Sequence, residues 1–193
     1  VYIPHFMSWV VAASIFSMIL SPTSAGLVND VLMKLHLITD NIYFLGDQKW
    51  WRFSYYIINV WKDTGWGTII FMATLAGISP ELYEAASMDG ANRFQKMIYI
   101  TLPALNNTIV TVLVLNLAKV MNLFESVFVL QNDAVIKVSD VLQTYIYTQT
   151  FNSGAIPDYG YTTAVGMFSS IISCILVLVC NRVSHKTRGR GIV

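Results

Sequence analysis

The apolar run YTTAVGMFSSIISCILVLVCN, Tyr161 to Asn181, constrains the fold more than any other feature, because it contains no charged residue. A helix crosses the hydrocarbon core of a bilayer with about 20 mostly apolar residues. Three further stretches of the chain have a comparable character: residues 4–20, 53–78 and 104–124. Charged residues make up only 12% of the chain, against about 25% in soluble domains. We therefore expect an all-α, polytopic membrane helix bundle with four spans, filling residues 1–193 as one transmembrane domain.

The tail after the fourth span indicates the orientation of the chain. It reads NRVSHKTRGR and carries four basic residues and no acidic one. Because basic residues collect on the cytoplasmic side of a membrane, we expect the C-terminus to be cytoplasmic. Four spans then place residues 79–103 inside the cell, and residues 21–52 and 125–160 outside. Three basic residues in the first outer segment oppose this layout, but the tail adjoins a span and lacks acids.

Several function classes lack their signatures in this sequence. The net charge is only +1, and no basic cluster alternates with aromatic residues, which argues against nucleic-acid binding. A phosphate-binding GxxxxGK[ST] loop, a nucleophile elbow and metal-ligand spacing are missing, and the three histidines are far apart. We expect neither an enzyme nor a cofactor. Cys174 and Cys180 lie on different faces of one apolar helix, where we expect them to be small packing residues.

The segment 79–103 is polar although it lies between two spans. Ser79 and Pro80 suit the start of a helix, and Gly90 can adopt the left-handed conformation that ends one. We predict a helix, a glycine turn and a second short helix, both parallel to the membrane surface. The first helix has an apolar face made by Leu82, Tyr83 and Met88. That face suits either docking on a cytoplasmic partner or contact with lipid headgroups.

The order of residues in this segment resembles the EAA loop of binding-protein-dependent ABC importer permeases. That pattern is Glu-Ala-Ala, three residues, Gly, nine residues, Ile, one residue and Leu-Pro. Every fixed position is matched here, by Glu84, Ala85, Ala86, Gly90, Ile100, Leu102 and Pro103. The stretch EAASMDGA, which includes Asp89, is also similar to the form found in sugar importers of the maltose-transporter type.

The resemblance covers nearly the whole chain and points to the polysaccharide or oligosaccharide branch of the family. It implies a bacterial cytoplasmic-membrane permease that forms a sugar pathway and couples to ATP hydrolysis through Glu84 to Gly90. Asp89, Ile100, Leu102 and Pro103 are then expected to shape the loop. The implied partners are cytoplasmic ATPase subunits, a second homologous permease, an extracytoplasmic solute-binding protein, a sugar or oligosaccharide, and lipid. Members of this branch have about six spans, and the chain begins at Val1, so we expect two further spans upstream.

Two charged residues interrupt the second span, and charges within a span are costly. Lys62 and Asp63 stand in the middle of residues 53–78. Either they line a polar pathway, or they pair with another subunit, or residues 53–61 lie at the outer interface and the span starts near Thr64. The sequence leaves these three interpretations open.

The third span carries a polar stripe. Asn116, Lys119 and Asn122 recur at intervals of three and are expected to share one helix face. A span with one polar face should turn it away from lipid, toward either a transport pathway or a subunit interface. Amide groups beside aromatic rings suit sugars, and the residue types therefore favour a pathway.

Two other functions compete with an ATP-driven permease. A secondary transporter would need ionisable residues that relay ions at mid-membrane, for which Lys62 and Asp63 are a thin basis. A membrane anchor or sensory subunit would use the loop to bind a partner without transporting anything. A secondary transporter has no use for the coupling loop, and the polar faces of the spans argue against a subunit that does not transport.

Overall fold

Helices form every regular element of the part of the chain that the computed structural model describes, which is residues 2–23, 26–152 and 157–188. This confirms the expected all-α class. A 3₁₀ turn at Ile3–Phe6 comes first. The α-helices follow in this order: α1 Trp9–Ile19, α2 Leu27–Lys34, α3 Gln48–Ala76, α4 Pro80–Met88, α5 Arg93–Lys96, α6 Leu102–Val120, α7 Glu125–Phe128, α8 Ile136–Ser139, α9 Leu142–Phe151 and α10 Tyr159–Arg188.

Two helices in the described residues are long and apolar enough to cross a membrane. They are Arg93–Val120, with a mean hydropathy of 1.7, and Tyr159–Arg182, with 2.3. They coincide with the third and fourth expected spans. Helix α3 has 29 residues, enough length for a crossing, but it carries several charges. Helix α1 has only 11 residues and is too short to cross alone, so the four-span arrangement stays a prediction.

The third span differs from its expected bounds of 104–124. The helix already begins at Arg93, passes through a π-helical turn at Met97–Thr101, and ends at Val120. The second short helix expected before Pro103 is therefore the first part of the span itself. Proline has no N–H and its ring clashes with the carbonyl four residues earlier, at Tyr99. The wide turn lies at this point and accommodates Pro103 without ending the helix.

The chain forms two compact units. The first joins Val1–Thr64 with Met121–Ile171, and the second joins Gly65–Val120 with Ile172–Val193. Helices α3 and α10 each contribute residues to both units, and each unit is described separately below.

The first unit has an apolar core around the beginning of α3. Trp51 and Tyr55 stack with their ring centroids 5.1 Å apart, and Ile58 is fully buried beside them. The Trp51 indole N–H donates to the Leu130 carbonyl at 3.1 Å, and the Tyr55 hydroxyl bonds to Ser126 Oγ at 2.9 Å. These contacts attach the segment after residue 121 to α3, although more than 70 residues separate the partners along the chain.

A buried asparagine organises the segment between α1 and α3. The Asn29 side chain is fully buried. Its Nδ2 donates to the carbonyls of Ser21 and Ile42, both at 2.9 Å, and its Oδ1 accepts from the Ile42 N–H at 2.9 Å. One side chain thus satisfies backbone groups in two loops, which a buried amide must do to offset its desolvation.

The second unit joins the end of α3 to α6. The hydroxyls of Thr74 and Thr108 lie 2.8 Å apart, and Thr74 Oγ1 also donates to the Ile70 carbonyl at 3.2 Å. Hydrogen bonds between hydroxyl groups of neighbouring helices contribute about 0.6 kcal/mol in membrane proteins. Val114 on α6 is buried in this unit.

Candidate coupling surface and solute pathway

Helix α4 is bounded by the residues that the sequence predicted. Pro80 occupies the first turn and Glu81 lies beside it, where the helix dipole favours an acid. Gly90 has φ +76°, and the Ala91 N–H donates to the Ala86 carbonyl at 2.9 Å, closing the helix. Apart from Gly90 itself and its two chain neighbours, no described residue has an atom within 4 Å of the position that a Cβ of Gly90 would occupy. The backbone conformation, and not lack of space, is therefore what requires glycine here.

Two side-chain contacts hold α4 against the start of the following span. Lys96 Nζ donates to Ser87 Oγ at 2.6 Å, and the hydroxyls of Tyr83 and Thr101 lie 2.9 Å apart. Between the helices, Asn92 and Gln95 form a reciprocal capping box that starts α5. Hydrogen bonds therefore hold both the helix before the turn at Gly90 and the helix after it. Sequence analysis identified Tyr83 only as part of an apolar face and missed the Ser87–Lys96 contact.

The surface of α4 that includes the EAA residues is open within its unit. Glu84 and Ala85 are exposed and Ala86 is half-buried, while Leu82 is 54% and Met88 88% exposed. We call the residues 82, 84, 85 and 88 the α4 surface. An apolar side chain as exposed as Met88, next to acidic groups, fits a helix that lies in the groove of a partner.

The second half of the EAA pattern belongs to the span and not to a loop. Ile100 is half-buried in the π-helical turn, and Leu102 and Pro103 are exposed at the start of α6. Asp89, at the C-terminal end of α4, is also exposed, and its N–H donates to the Ala85 carbonyl at 3.0 Å. Asp89 thus lies at the end of α4, while the other three positions lie within the helix that continues to Val120.

The two charged residues of the second span have different environments in the first unit. Lys62 is only 6% exposed; its Nζ donates to the His5 carbonyl at 3.2 Å and lies 5.0 Å from the centre of the Trp9 ring. The Asp63 side chain is 61% exposed, with one oxygen 3.7 Å from His5 Nδ1. The ammonium group of Lys62 is thus stabilised inside the chain, while Asp63 is accessible to solute or to another subunit.

The polar stripe of the third span is shorter than expected. Asn116 and Lys119 are exposed and lie about one turn apart on α6. Asn122 falls in the turn after the helix ends at Val120, so it does not share their helix face. Its Oδ1 instead accepts from Gln143 Nε2 at 3.3 Å.

Aromatic residues cluster on the segment 124–151, and sequence analysis did not assign them a site. Tyr147 packs against Phe124, Phe128 and Phe151 with ring centroids 4.9 to 5.4 Å apart. The spacing of four between Tyr147 and Phe151 on α9 was the available signal. Nearby, the hydrogen bond between the hydroxyls of Tyr145 and Tyr161 raises the pKa of the Tyr145 phenol, and the charge of Tyr161, burial and Asp140 act in the same direction. Tyr145 therefore stays neutral at physiological pH.

Residues 1–189 match the model of the family described as "Binding-protein-dependent transport system inner membrane component". The chain belongs to this family. The match includes α4, both candidate spans and every residue of the EAA pattern. It confirms the sequence resemblance and identifies the chain as an inner membrane component.

Curated relatives and solved structures agree with this assignment. Protein LplB of Bacillus subtilis is 40% identical over 193 residues, 100% of this chain and 59% of the relative. The polygalacturonan/rhamnogalacturonan transport system permease YteP of the same bacterium is 39% identical, over 100% of this chain and 58% of its own length. The chain therefore spans a little under three fifths of the length of these two relatives.

Two crystal structures of a bacterial alginate ABC transporter are similar to this chain. The first, described as importing the acidic polysaccharide alginate, has a TM-score of 0.89 at 36% identity, over 97% of this chain and 64% of the solved one. The second, in complex with a periplasmic protein bound to an alginate pentasaccharide, has a TM-score of 0.91 at 35% identity, over 100% and 65%. The fold of the chain is thus that of an ABC importer permease.

Proposed function

We propose that the chain is the permease subunit of an ATP-driven importer of an oligosaccharide or related sugar, and that the α4 surface is where a cytoplasmic ATPase subunit docks. The sugar class is supported by relatives that carry polygalacturonan, arabinooligosaccharides and alginate in their names. A second permease, two ATPase subunits and an extracytoplasmic binding protein complete the transporter.

The observation that carries the docking proposal is the combination of an exposed apolar surface and a rigid base. Met88 and Leu82 project from a helix that Gly90 ends in a left-handed turn. The Tyr83–Thr101 and Ser87–Lys96 contacts join this helix to the span Arg93–Val120. A force applied to α4 is therefore transmitted to a membrane helix, as coupling to ATP hydrolysis requires. A partner that binds one transmembrane conformation more tightly than the other shifts the equilibrium between them.

The same proposal sets the orientation. With α4 in the cytoplasm, the C-terminus is cytoplasmic, and the segments 21–52 and 125–160 face the binding protein. The pathway is proposed to include Asp63, Asn116, Lys119 and Asn122, all exposed in their own units. Lys62 supports this region from inside the chain, through the His5 carbonyl and the Trp9 ring.

Uptake by the assembled transporter tests the docking proposal. Gly90→Pro removes the positive φ and the N–H that bonds to the Ser87 carbonyl at 3.1 Å. We expect this variant to reach the membrane but to lose ATPase binding and uptake, while Gly166→Ala, inside α10 with no atom within 4 Å of the added Cβ, keeps both. Wild-type uptake by Gly90→Pro would refute the assignment.

A secondary transporter would need no ATPase, so one experiment separates the two functions. In liposomes without ATPase subunits, an ion gradient alone should drive no uptake. With the ATPases present, binding protein loaded with sugar should stimulate ATP hydrolysis. A non-transporting anchor would bind the ATPases without this stimulation.

A further inference from the structure

A polar cavity of about 310 Å³ lies in the first unit, between the end of α1, the loop at 43–45 and the segment 129–132. In the proposed orientation it is on the outer side of the membrane. Its lining contains hydroxyl, amide and aromatic groups and no charged side chain: Ser17, Ser21, Tyr43, Gln131 and Asn132, with five apolar residues. It is at the small end of the size range of ligand pockets.

One residue of this lining carries an amide donor without an acceptor among the described residues. The Nε2 of Gln131 is buried and makes no hydrogen bond with the residues that the structure describes. In the neighbouring Asn132 both amide atoms have partners, because its Nδ2 donates to the Leu45 carbonyl at 2.7 Å and its Oδ1 accepts from the Ala134 N–H at 3.1 Å. Leaving a buried amide donor unpaired is unfavourable. The two neighbouring amides therefore differ: Asn132 holds the fold, whereas the amide donor of Gln131 is left unpaired among the described residues.

We propose that this cavity is a binding subsite for one sugar unit of the transported glycan. The uncharged hydroxyl and amide groups of the lining hold the sugar, and the inference rests on the function proposed above. The Gln131 side chain turns so that Nε2, which is buried in the structure, donates to a sugar oxygen, and Ser17 belongs to the same lining. The ring of Tyr43, half exposed, offers an apolar face to the sugar ring. A water oxygen would accept from Gln131 Nε2 just as a sugar oxygen does. A direct binding measurement therefore decides between water and sugar.

The lack of charge in the lining defines the specificity of the subsite. Attraction between charged groups weakens with salt, whereas hydrogen bonds between neutral groups do not. The subsite should therefore bind a sugar unit equally well with or without a carboxylate, and at high or low salt. A carboxylate-specific site would behave in the opposite way on both counts.

Saturation-transfer NMR on the assembled transporter in nanodiscs, without nucleotide and without binding protein, tests the proposal. The probes are trigalacturonate and its methyl ester, which is the same trisaccharide without charge. We expect both to bind with similar affinity, and Gln131→Leu to weaken both about tenfold, which corresponds to 1.4 kcal/mol. Ser17→Phe, which fills the cavity but keeps the donor, should weaken both as well.

Gln48→Leu is the matched control, because Gln48 donates to the Ala134 carbonyl at 3.1 Å and does not line the cavity. It should bind like the wild type, and all variants should keep the wild-type helix content. The proposal is overturned if neither probe binds, if only the charged probe binds, if salt abolishes binding, or if Gln131→Leu binds normally. Since no ATP or coupling is involved, such a failure is separate from a failure of Gly90→Pro to stop uptake.

Discussion

The ammonium group of Lys96 lies 2.6 Å from the hydroxyl oxygen of Ser87, across the turn that Gly90 makes. Lys96 belongs to the helix that continues into the membrane, and Ser87 belongs to α4. Ser87 Oγ also donates to the Tyr83 carbonyl at 2.7 Å. This chain of contacts makes the turn a rigid connection between two helices.

Removing the ammonium group should loosen α4 without unfolding the protein. Lys96→Met keeps the length of the side chain but lacks the donor, and an exposed contact of this kind contributes about 1 kcal/mol or less. Hydrogen exchange at residues 82–90 should become about two- to fivefold faster. Lys49→Met, in the first unit, should leave that exchange unchanged; equal protection in Lys96→Met would show that the contact does not stabilise α4.

The conformation of Gly90 predicts a graded series of substitutions. Among residues other than glycine, asparagine tolerates a φ of +76° comparatively well, whereas β-branched valine tolerates it poorly. Gly90→Asn should retain most of the uptake, and Gly90→Val should lose most of it at equal expression. Since the site has room for a side chain, similar losses in both variants would mean that a partner, and not the backbone, excludes side chains here.

The two charges of α3 should separate stability from transport. Lys62→Ala removes a buried group that touches Trp9 and the His5 carbonyl, and should lower the midpoint of thermal unfolding. Asp63→Asn, at an exposed carboxylate, should leave the midpoint unchanged but alter the uptake rate. If Asp63→Asn changes neither quantity, Asp63 does not belong to the pathway.

Asn29 should be the most sensitive polar residue of the first unit. Asn29→Ala breaks three hydrogen bonds and leaves buried backbone groups unpaired, at a cost of about 3 kcal/mol. Unfolding followed by tryptophan fluorescence should shift accordingly. Asn59→Ala is the control, since its amide donates only to Tyr55 one turn earlier in its own helix; a shift as large as that of Asn29→Ala would contradict this account.

Asn116→Leu tests the pathway on α6 directly. The substitution removes an exposed amide and should change uptake rates among several sugars. Leu115→Ile, at a neighbouring exposed apolar position, should not. Unchanged rates and selectivity for Asn116→Leu would exclude this residue from the path.

Local rules predicted the start and end of α4, because each signal acts on the helix turn beside it: a proline and an acid at the start, and a left-handed glycine at the end. Hydropathy likewise predicted the two most apolar spans. The same rules started the third span at residue 104, because they did not anticipate a π-helical turn that carries the helix from Arg93 past Pro103. Asn122 was consequently placed on a helix that ends at Val120. Pairings such as Tyr55 with Ser126 depend on residues far apart in the chain, and no local pattern contains them.

The π-helical turn at Met97–Thr101 has a consequence for evolution. One additional residue in a helix rotates everything after it by about 100°, and a wide turn absorbs that residue in place. The direction in which Asn116 and Lys119 project is therefore set some four turns earlier. Deleting one residue within Met97–Thr101 would leave the downstream side chains in phase, although Pro103 would then clash with the carbonyl of the preceding turn. The same deletion after Thr108 would turn those side chains toward a different neighbour.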